Sequence, residues 1–252
     1  MKTPLFELCV ESLRAAQMAE RGGADRVELC ARLDIGGLTP GRQLTAAVVQ
    51  ALSIPVHVLI RLRGGDFAYT ASEFAQMRQQ VQWVKESGAA GVVLGVLQAD
   101  SRVDVERSRE LVELARPMKV TFNRAFDEAP VLGEALRAVI ATGSTCLLTS
   151  GGATDVLTGA AQIAQLVRQA EDRIEIMAGG GLKLASMAEV LERTGVHCLH
   201  GSLTRRSPER SLQRTNSRSA PGKADILEAD VRAAVELLHR HFAVDEVSAR
   251  AR

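Results

Sequence analysis

Eight short apolar runs alternate with amphipathic stretches along this chain, and that alternation constrains the fold more than any other feature. Each apolar run has the length of a buried strand, whereas the stretches between them carry apolar residues at helical spacings of three and four. Thr70 and Glu73 form a capping box, which is a local signal that a helix begins there. The apolar runs read PLFELCV, DRVELC, IPVHVLI, GVVLGVL, KVTFNRAF, TCLLTS, IEIMAG and GVHCLHGS.

Eight strand–helix units in 252 residues are typical of a (β/α)8 TIM barrel, which is an α/β fold. A doubly wound open sheet is the alternative, but the regular units and the lack of a composition break before residue 200 favour the closed barrel. We predict a single domain over residues 1–252. The Arg/Ser-rich segment 204–223 predicts a flexible loop before the last helix; an anion-binding or subunit-contact loop is the alternative. The last ten residues are expected to fray.

Composition excludes several classes of function. The net charge is +1 and aromatic residues make up 3% of the chain, so neither nucleic acid nor a membrane surface is an expected partner. The first residues do not resemble a signal peptide, and no apolar run is long enough to span a bilayer. We therefore expect a cytoplasmic protein, in which the four cysteines are thiols rather than disulfides.

The alternation of strand side chains predicts which residues point into the barrel. The outward face of each strand must be apolar, because helices cover it, so Glu7 and Cys9 point inward, as do Glu28 and Cys30. On the third strand the same rule sends His57, Leu59, Arg61 and Arg63 inward, with the two arginines at the C-terminal end. Active sites of this fold lie where the carboxyl ends of the strands meet, and ionisable groups gathered there indicate a site. The alternative is a buried network of mutually neutralising charges. The catalytic candidates are Glu7, Glu28, Arg61, Arg63, Asp66, Asn123, Arg124, Asp127 and His200.

Glycine-rich loops follow the sixth, seventh and eighth predicted strands, in LTSGG, MAGGG and HGS. Barrels often bind phosphate through backbone amides of the loops after strands seven and eight, since glycine lets the backbone approach an anion. Tight turning between strand and helix is the alternative reading. The candidates for binding an anion or cofactor are Ser150, Gly151, Gly179, Gly180, Gly181 and Ser202.

Cys9 and Cys30 lie on neighbouring predicted strands and face the same way. Adjacent strands are about 4.8 Å apart and a metal–thiolate bond is about 2.3 Å long, so the two sulfurs would span one ion almost linearly if their heights match. Soft thiolate pairs suit Cu(I). The alternative is that both are small buried thiols that fill the core, which is the expectation for Cys146 and Cys198.

The chain also resembles the CutC family, named for copper homeostasis, in the segments FELCVESLRAAQMAERGGADRVELC, GGLTPG, IPVHVLIRLRGGDFAYT, VTFNRAFD, LTSG, IMAGGG and LHGS. The resemblance runs from about residue 5 to residue 203. It implies a TIM barrel, a cytoplasmic location, frequent oligomers and Cu(I) binding in some members through two cysteines, which fall here on Cys9 and Cys30. Leu62 replaces the proline of the family pattern, and Asn123 replaces a histidine, so acid–base or metal chemistry by that imidazole is not expected here.

Two functions remain open. The first is copper homeostasis, with a copper ion bound as Cu(I) by the cysteine pair of a homo-oligomer (dimer or tetramer). The second is an enzyme acting on a small anionic or phosphorylated metabolite, in which Glu7 or Glu28 is the acid or base and the arginines hold the anion. A copper buffer has no evident use for so many arginines, so both functions could share one barrel. An interaction scaffold is a third reading.

Overall fold

The computed structural model describes residues 3–203 and 227–250, with side chains described up to residue 243. Eight parallel strands are hydrogen-bonded in chain order and close into a barrel, with β1 paired to both β2 and β8. The strands are β1 Leu5–Val10, β2 Arg26–Leu29, β3 Val56–Leu59, β4 Gly91–Leu94, β5 Lys119–Phe122, β6 Cys146–Thr149, β7 Glu175–Gly179 and β8 Cys198–Gly201. The predicted TIM barrel is confirmed.

A helix follows each strand and covers the outside of the barrel. The helices are α1 Leu13–Arg21, α2 Arg42–Ala51, α3 Ala71–Glu86, α4 Val105–Ala115, α5 Leu132–Thr142, α6 Ala160–Ala170, α7 Met187–Thr194 and α8 Glu228–Arg250. The predicted capping box at the start of α3 is confirmed, with the Thr70 hydroxyl accepting from the Glu73 amide and the Glu73 carboxylate accepting from the Thr70 amide. No helix among the described residues is long and apolar enough to cross a bilayer.

The barrel has one core outside the sheet and smaller clusters inside it. Phe6 and Leu8 of β1 belong to the large core between the strands and the helices, and both are fully buried. Their neighbour Cys9 belongs instead to a small inner cluster with Cys30, Leu59 and Val93. A second inner cluster consists of Cys146, Leu148, Met177 and Cys198. The predicted alternation of β1 is therefore confirmed.

The strands are staggered, and the stagger decides which inward side chains share a level. Glu7 is the register partner of Arg26 on β2 and of His200 on β8. Cys9 is level with Glu28 rather than with Cys30, which lies two residues further along. The backbone amide of Cys30 bonds to the carbonyl of Val10 instead.

Two predictions fall outside what the structure describes. The Arg/Ser-rich loop at residues 204–223 lies wholly outside the described residues. The side chains beyond residue 243, where fraying is expected, lie outside them as well. The single-domain boundary of 1–252 stays a prediction.

Candidate functional site

A cavity of about 520 Å³ opens at the mouth of the barrel, where the carboxyl ends of the strands meet. This is the end at which the fold places its active sites. Many of the predicted site residues line it together, namely Cys9, Glu28, Cys30, Arg61, Asn123, Arg124, Asp127, Gly180, Gly181, His200 and Ser202.

Cys9 and Cys30 form the thiol pair of this cavity. Their Sγ atoms lie 3.3 Å apart, both side chains are buried, and both are free thiols. The hydrogen bond to Cys30, burial and the nearby Glu28 carboxylate raise the pKa of Cys9 well above its ordinary value. The heights of the two residues do not match, and a linear S–metal–S arrangement would need about 4.6 Å between the sulfurs. The linear geometry expected from the sequence is therefore not the geometry present.

Glu7 lies beneath the cavity rather than on its wall, and it is fully buried. Its carboxylate accepts a hydrogen bond from Arg26 Nε at 2.5 Å and is 2.8 Å from His200 Nδ1. Burial alone would raise the pKa of Glu7, but the Arg26 charge and the His200 contact outweigh it and hold that pKa far below its usual range. Glu7 is therefore a buried anion that fixes the position of its two partners.

Glu28 is the carboxylate that faces the cavity from β2. It is 5% exposed, and its Oε2 atom has no hydrogen-bond partner. Burial, with a further contribution from the Glu7 charge, raises the pKa of Glu28 to about 7. The His200 Nδ1 atom lies 3.6 Å from Glu28 Oε2, and Cys9, Glu28 and His200 each offer a donor atom within 4.8 Å of the other two. These three residues could hold one metal ion between them.

Arg61 lines the cavity, but its guanidinium group donates most of its hydrogen bonds to backbone carbonyls of the rim loops. It donates to the carbonyl oxygens of Ile35 at 3.2 Å, Gly37 at 3.3 Å and Gly65 at 2.7 Å. It also lies over the ring of Phe67, 4.5 Å from the centroid. Arg61 therefore ties the loops after β2 and β3 together.

Arg63 and Asp66 do not line the cavity. Arg63 donates to Glu73 at 2.6 Å and to Asp66 at 3.0 Å, on the outer side of the loop before α3. The Asp66 side chain is 68% exposed. The prediction that both arginines of this loop point into the barrel fails for Arg63, which lies well past the end of β3 at Leu59 and pairs with Glu73 and Asp66 instead.

The opposite rim is built around Asp127. Its carboxylate accepts from Arg124 Nε at 2.8 Å, from the Ser150 hydroxyl at 2.9 Å, from the Gly152 amide at 3.0 Å and from the Thr149 hydroxyl. Arg124 also donates to the Ser150 hydroxyl at 2.9 Å. Asp127 thus ties the loop after β5 to the loop after β6, and Ser150 sits inside this network rather than on the cavity wall.

The glycines predicted to bind an anion divide into two groups. Gly180 and Gly181 line the cavity, whereas Gly151 and Gly179 do not. A Cβ atom on Gly180 would lie 2.9 Å from Arg124 Cζ, and its φ of +105° disfavours any other residue. The bare backbone here therefore makes room for the Arg124 guanidinium group.

Asn123 directly follows β5 and caps the next short helix. Its Oδ1 atom accepts from the Ala125 amide at 3.0 Å, at the start of the short 3-10 helix Arg124–Glu128. The side chain is buried and packs against Gly95, where a Cβ would clash with it. Asn123 thus supports the rim by hydrogen bonding.

Sequence reasoning named neither Arg26 nor His57 as a site residue, although it did predict that His57 points inward. Arg26 precedes Glu28 by two residues, so the alternation rule puts it on the inward face, and that signal was available. His57 is buried with its Nδ1 atom 3.9 Å from Glu7 Oε2. Burial, and then the Arg26 charge, lower the pKa of His57 to about 4. The rim residues missed include Leu33, Gly36, Gly37, Phe67, Glu128 and Leu182.

Cys146 and Cys198 lie at the other end of the barrel. Each is the first residue of its strand, both are buried, and neither lines the cavity. Burial raises the pKa of Cys146 to about 12. Their surroundings agree with the prediction that these two thiols fill the core.

Comparison with known proteins gives a consistent family. The family model described as the CutC family matches residues 4–205. A CutC family protein of Mesorhizobium japonicum is 40% identical over 225 residues, covering 89% of this chain and 87% of the relative. The human copper homeostasis protein cutC homolog is 40% identical over 218 residues, covering 86% of this chain and 80% of the human protein. A crystal structure of the putative copper homeostasis protein CutC from Streptococcus agalactiae superposes with a TM-score of 0.76 at 31% identity, covering 80% of this chain and all of that one.

Proposed function

The chain belongs to the CutC family, and from that premise we propose that it is a copper homeostasis protein that binds Cu(I) through Cys9 and Cys30. The observation that carries the proposal is the contact between the two thiols at 3.3 Å in the cavity at the mouth of the barrel. Thiolates are the soft donors that Cu(I) prefers. The relatives named for copper homeostasis support the same role.

The two thiols are suitable donors for Cu(I), but the distance between their sulfur atoms limits how they can bind it. A two-coordinate ion with straight bonds needs about 4.6 Å between the sulfurs, so the pair must open by about 1.3 Å or hold the ion at a bent angle. Both residues must also be reduced and deprotonated to bind metal. We therefore place the protein in the cytoplasm, where thiols are kept reduced, and we propose that it is a homo-oligomer, as the family resemblance implies.

An anaerobic Cu(I) titration against a competing chelator tests this proposal. We expect wild type to bind one equivalent, and Cys9→Ala and Cys30→Ala each to lose this binding. Cys146→Ala is the matched control, because Cys146 is equally buried inside the barrel but lies at its other end, and it should bind copper like wild type. Equal Cu(I) affinities of wild type and the Cys9 and Cys30 variants would rule out the thiol pair as the copper site.

A second function is favoured by the size of the cavity. A volume of about 520 Å³ lies within the range of small-molecule sites and far exceeds the need of a bare ion. The Arg124 side chain is 41% exposed, and its guanidinium group lies on the rim beside Gly180. We propose that the same mouth takes a small anionic or phosphorylated metabolite, with Arg124 as its cationic contact and Glu28 as the carboxylate that faces it.

Thermal unfolding with added inorganic phosphate, pyrophosphate and small sugar phosphates tests the second function. A ligand that binds the folded state raises the midpoint temperature. Arg124→Gln should lose that rise, whereas Arg78→Gln should keep it, since Arg78 pairs with Glu110 on the exposed outer surface. If no anion stabilises wild type more than it stabilises Arg124→Gln, the arginine serves only the rim.

A further inference from the structure

We propose that the cavity binds a divalent transition-metal ion of the zinc class through four side chains, Cys9, Cys30, Glu28 and His200. The inference rests on the metal role proposed for the cysteine pair, and it extends the site from two soft donors to a mixed set of two sulfurs, one oxygen and one nitrogen. It does not require that the physiological ion be Cu(I).

The distance between the sulfurs is the first argument. With metal–sulfur bonds of about 2.3 Å, the sulfurs are about 4.6 Å apart around a linear ion and about 3.8 Å apart around a tetrahedral one. The Sγ atoms of Cys9 and Cys30 are 3.3 Å apart, which is within about half an ångström of the tetrahedral value. The pair is therefore arranged for an ion that has further ligands.

Glu28 supplies the second argument. Its carboxylate is buried, lines the cavity and leaves Oε2 without a hydrogen-bond partner. A buried polar atom with no partner is costly and calls for a ligand. Donor atoms of Glu28, Cys9 and His200 lie within 4.8 Å of one another, close enough for modest side-chain movement to bring them around one ion.

The contact between His200 and Glu7 supplies the third argument. His200 Nδ1 lies 2.8 Å from Glu7 Oε1, and the buried Glu7 carboxylate can only accept a hydrogen bond there. This contact occupies Nδ1, so Nε2 is the ring nitrogen left to bind a metal ion. Histidines that bind metals in proteins usually have such a carboxylate on the other ring nitrogen, because it fixes the ring and increases its basicity.

Charge and donor type favour a divalent ion of borderline softness. Two thiolates and one carboxylate bring three negative charges into a buried site, and a divalent ion offsets more of that charge than Cu(I) does. Sulfur, imidazole and carboxylate are the ligand types of zinc. Calcium and magnesium bind through oxygen ligands, so the thiols count against them.

Cobalt(II), a spectroscopic substitute for zinc, tests the inference on the full chain under anaerobic conditions. We expect wild type to bind one equivalent of Co²⁺ with a thiolate-to-cobalt absorption band, and Zn²⁺ to displace it. Glu28→Gln and His200→Gln should each weaken Co²⁺ binding by at least about tenfold while changing Cu(I) affinity by less than about threefold. Glu128→Gln is the matched control, because Glu128 also lines the cavity but is not one of the four proposed ligands.

The outcomes separate this inference from the proposed function. Wild type that binds Cu(I) but shows no thiolate–cobalt band overturns the inference and leaves the copper site standing. A cobalt band without Cu(I) binding overturns the proposed copper site and leaves the divalent site standing. A cobalt band that persists unweakened in both Glu28→Gln and His200→Gln also overturns the inference. Circular dichroism of each variant checks folding, and Cys9→Ser, which keeps both Glu28 and His200, should remove the cobalt band by itself.

Discussion

Cys9 and Cys30 touch through their sulfur atoms at 3.3 Å, although the register of β1 and β2 sets Cys9 level with Glu28. The Cys30 thiol therefore reaches the Cys9 thiol from two residues further along the chain than the register partner of Cys9. The Glu28 carboxylate also lies beside Cys9, with their donor atoms within 4.8 Å of each other. The two thiols and the carboxylate therefore form one group, which a pair of cysteines at equal height would not have done.

The buried ion pair beneath the cavity should be essential to folding. Glu7 and Arg26 lie 2.5 Å apart, and their side chains are 0% and 12% exposed. Glu7→Gln leaves the Arg26 charge buried without its partner, and we expect a loss of about 3–5 kcal/mol in the free energy of unfolding, measured by urea titration. The double variant Glu7→Gln/Arg26→Met removes both charges and should recover much of that loss. A single variant as stable as wild type would contradict this account.

His57 should make the protein less stable in mild acid. Its pKa is about 4 in the folded protein, because burial and the Arg26 charge disfavour the protonated ring, and about 6.5 in the unfolded chain. Below about pH 6.5 His57 is therefore protonated in the unfolded state, whereas in the folded state it becomes protonated only near pH 4. The stability due to this residue is present above pH 6.5 and is lost as the pH falls toward 4, by about 3 kcal/mol at most.

Urea unfolding of wild type and His57→Gln at pH 7 and pH 4.5 measures this dependence. Both proteins lose stability in acid through other groups, but wild type should lose more. If the two proteins lose equal amounts of free energy over this interval, His57 does not have the expected low pKa.

Position 91 should accept only glycine, because the His57 ring occupies the space that a side chain at this position would need. The two residues are register partners on β4 and β3, and a Cβ atom on Gly91 would lie 2.5 Å from His57 Cδ2. Because the imidazole is buried, Gly91→Ala should cost about 1–3 kcal/mol through overpacking. Gly41→Ala is the control, since a Cβ on Gly41 meets nothing within 4 Å. Adding His57→Ala to Gly91→Ala should cost less than the sum of the two single changes, and strict additivity would show that the two side chains do not compete for space.

Asp127 should hold the rim of the cavity, and Asp66 offers a comparison. Each aspartate pairs with an arginine three residues before it, but the Asp127 side chain is 8% exposed and that of Asp66 is 68% exposed. Asp127→Asn places an NH2 group among donors and should cost about 1–3 kcal/mol. Asp66→Asn should change stability little, because exposed ion pairs contribute little. Thermal unfolding measures the difference, and the midpoint temperature should fall more for Asp127→Asn than for Asp66→Asn. Equal falls would contradict this account.

The local alternation of side chains accounts for what sequence reasoning predicted well. A strand side chain points in or out according to the backbone geometry of its own residue. The inward faces of Glu7, Cys9, Glu28 and Cys30 therefore follow from the apolar pattern of β1 and β2. The same rule applied to Arg63 fails because the strand has already ended at Leu59, and a strand end is not visible in the alternation itself.

The sequence by itself determined the barrel, the order of its strands and the inward faces of Glu7, Cys9 and Glu28, because periodicity and helix caps are local properties of the chain. Only the tertiary structure decided which of these side chains meet. His200 reaches Glu7 across 193 residues, and Cys9 lies level with Glu28, because closure of the barrel imposes one stagger on all eight strands. Stagger is a property of the whole sheet, so no single segment contains it.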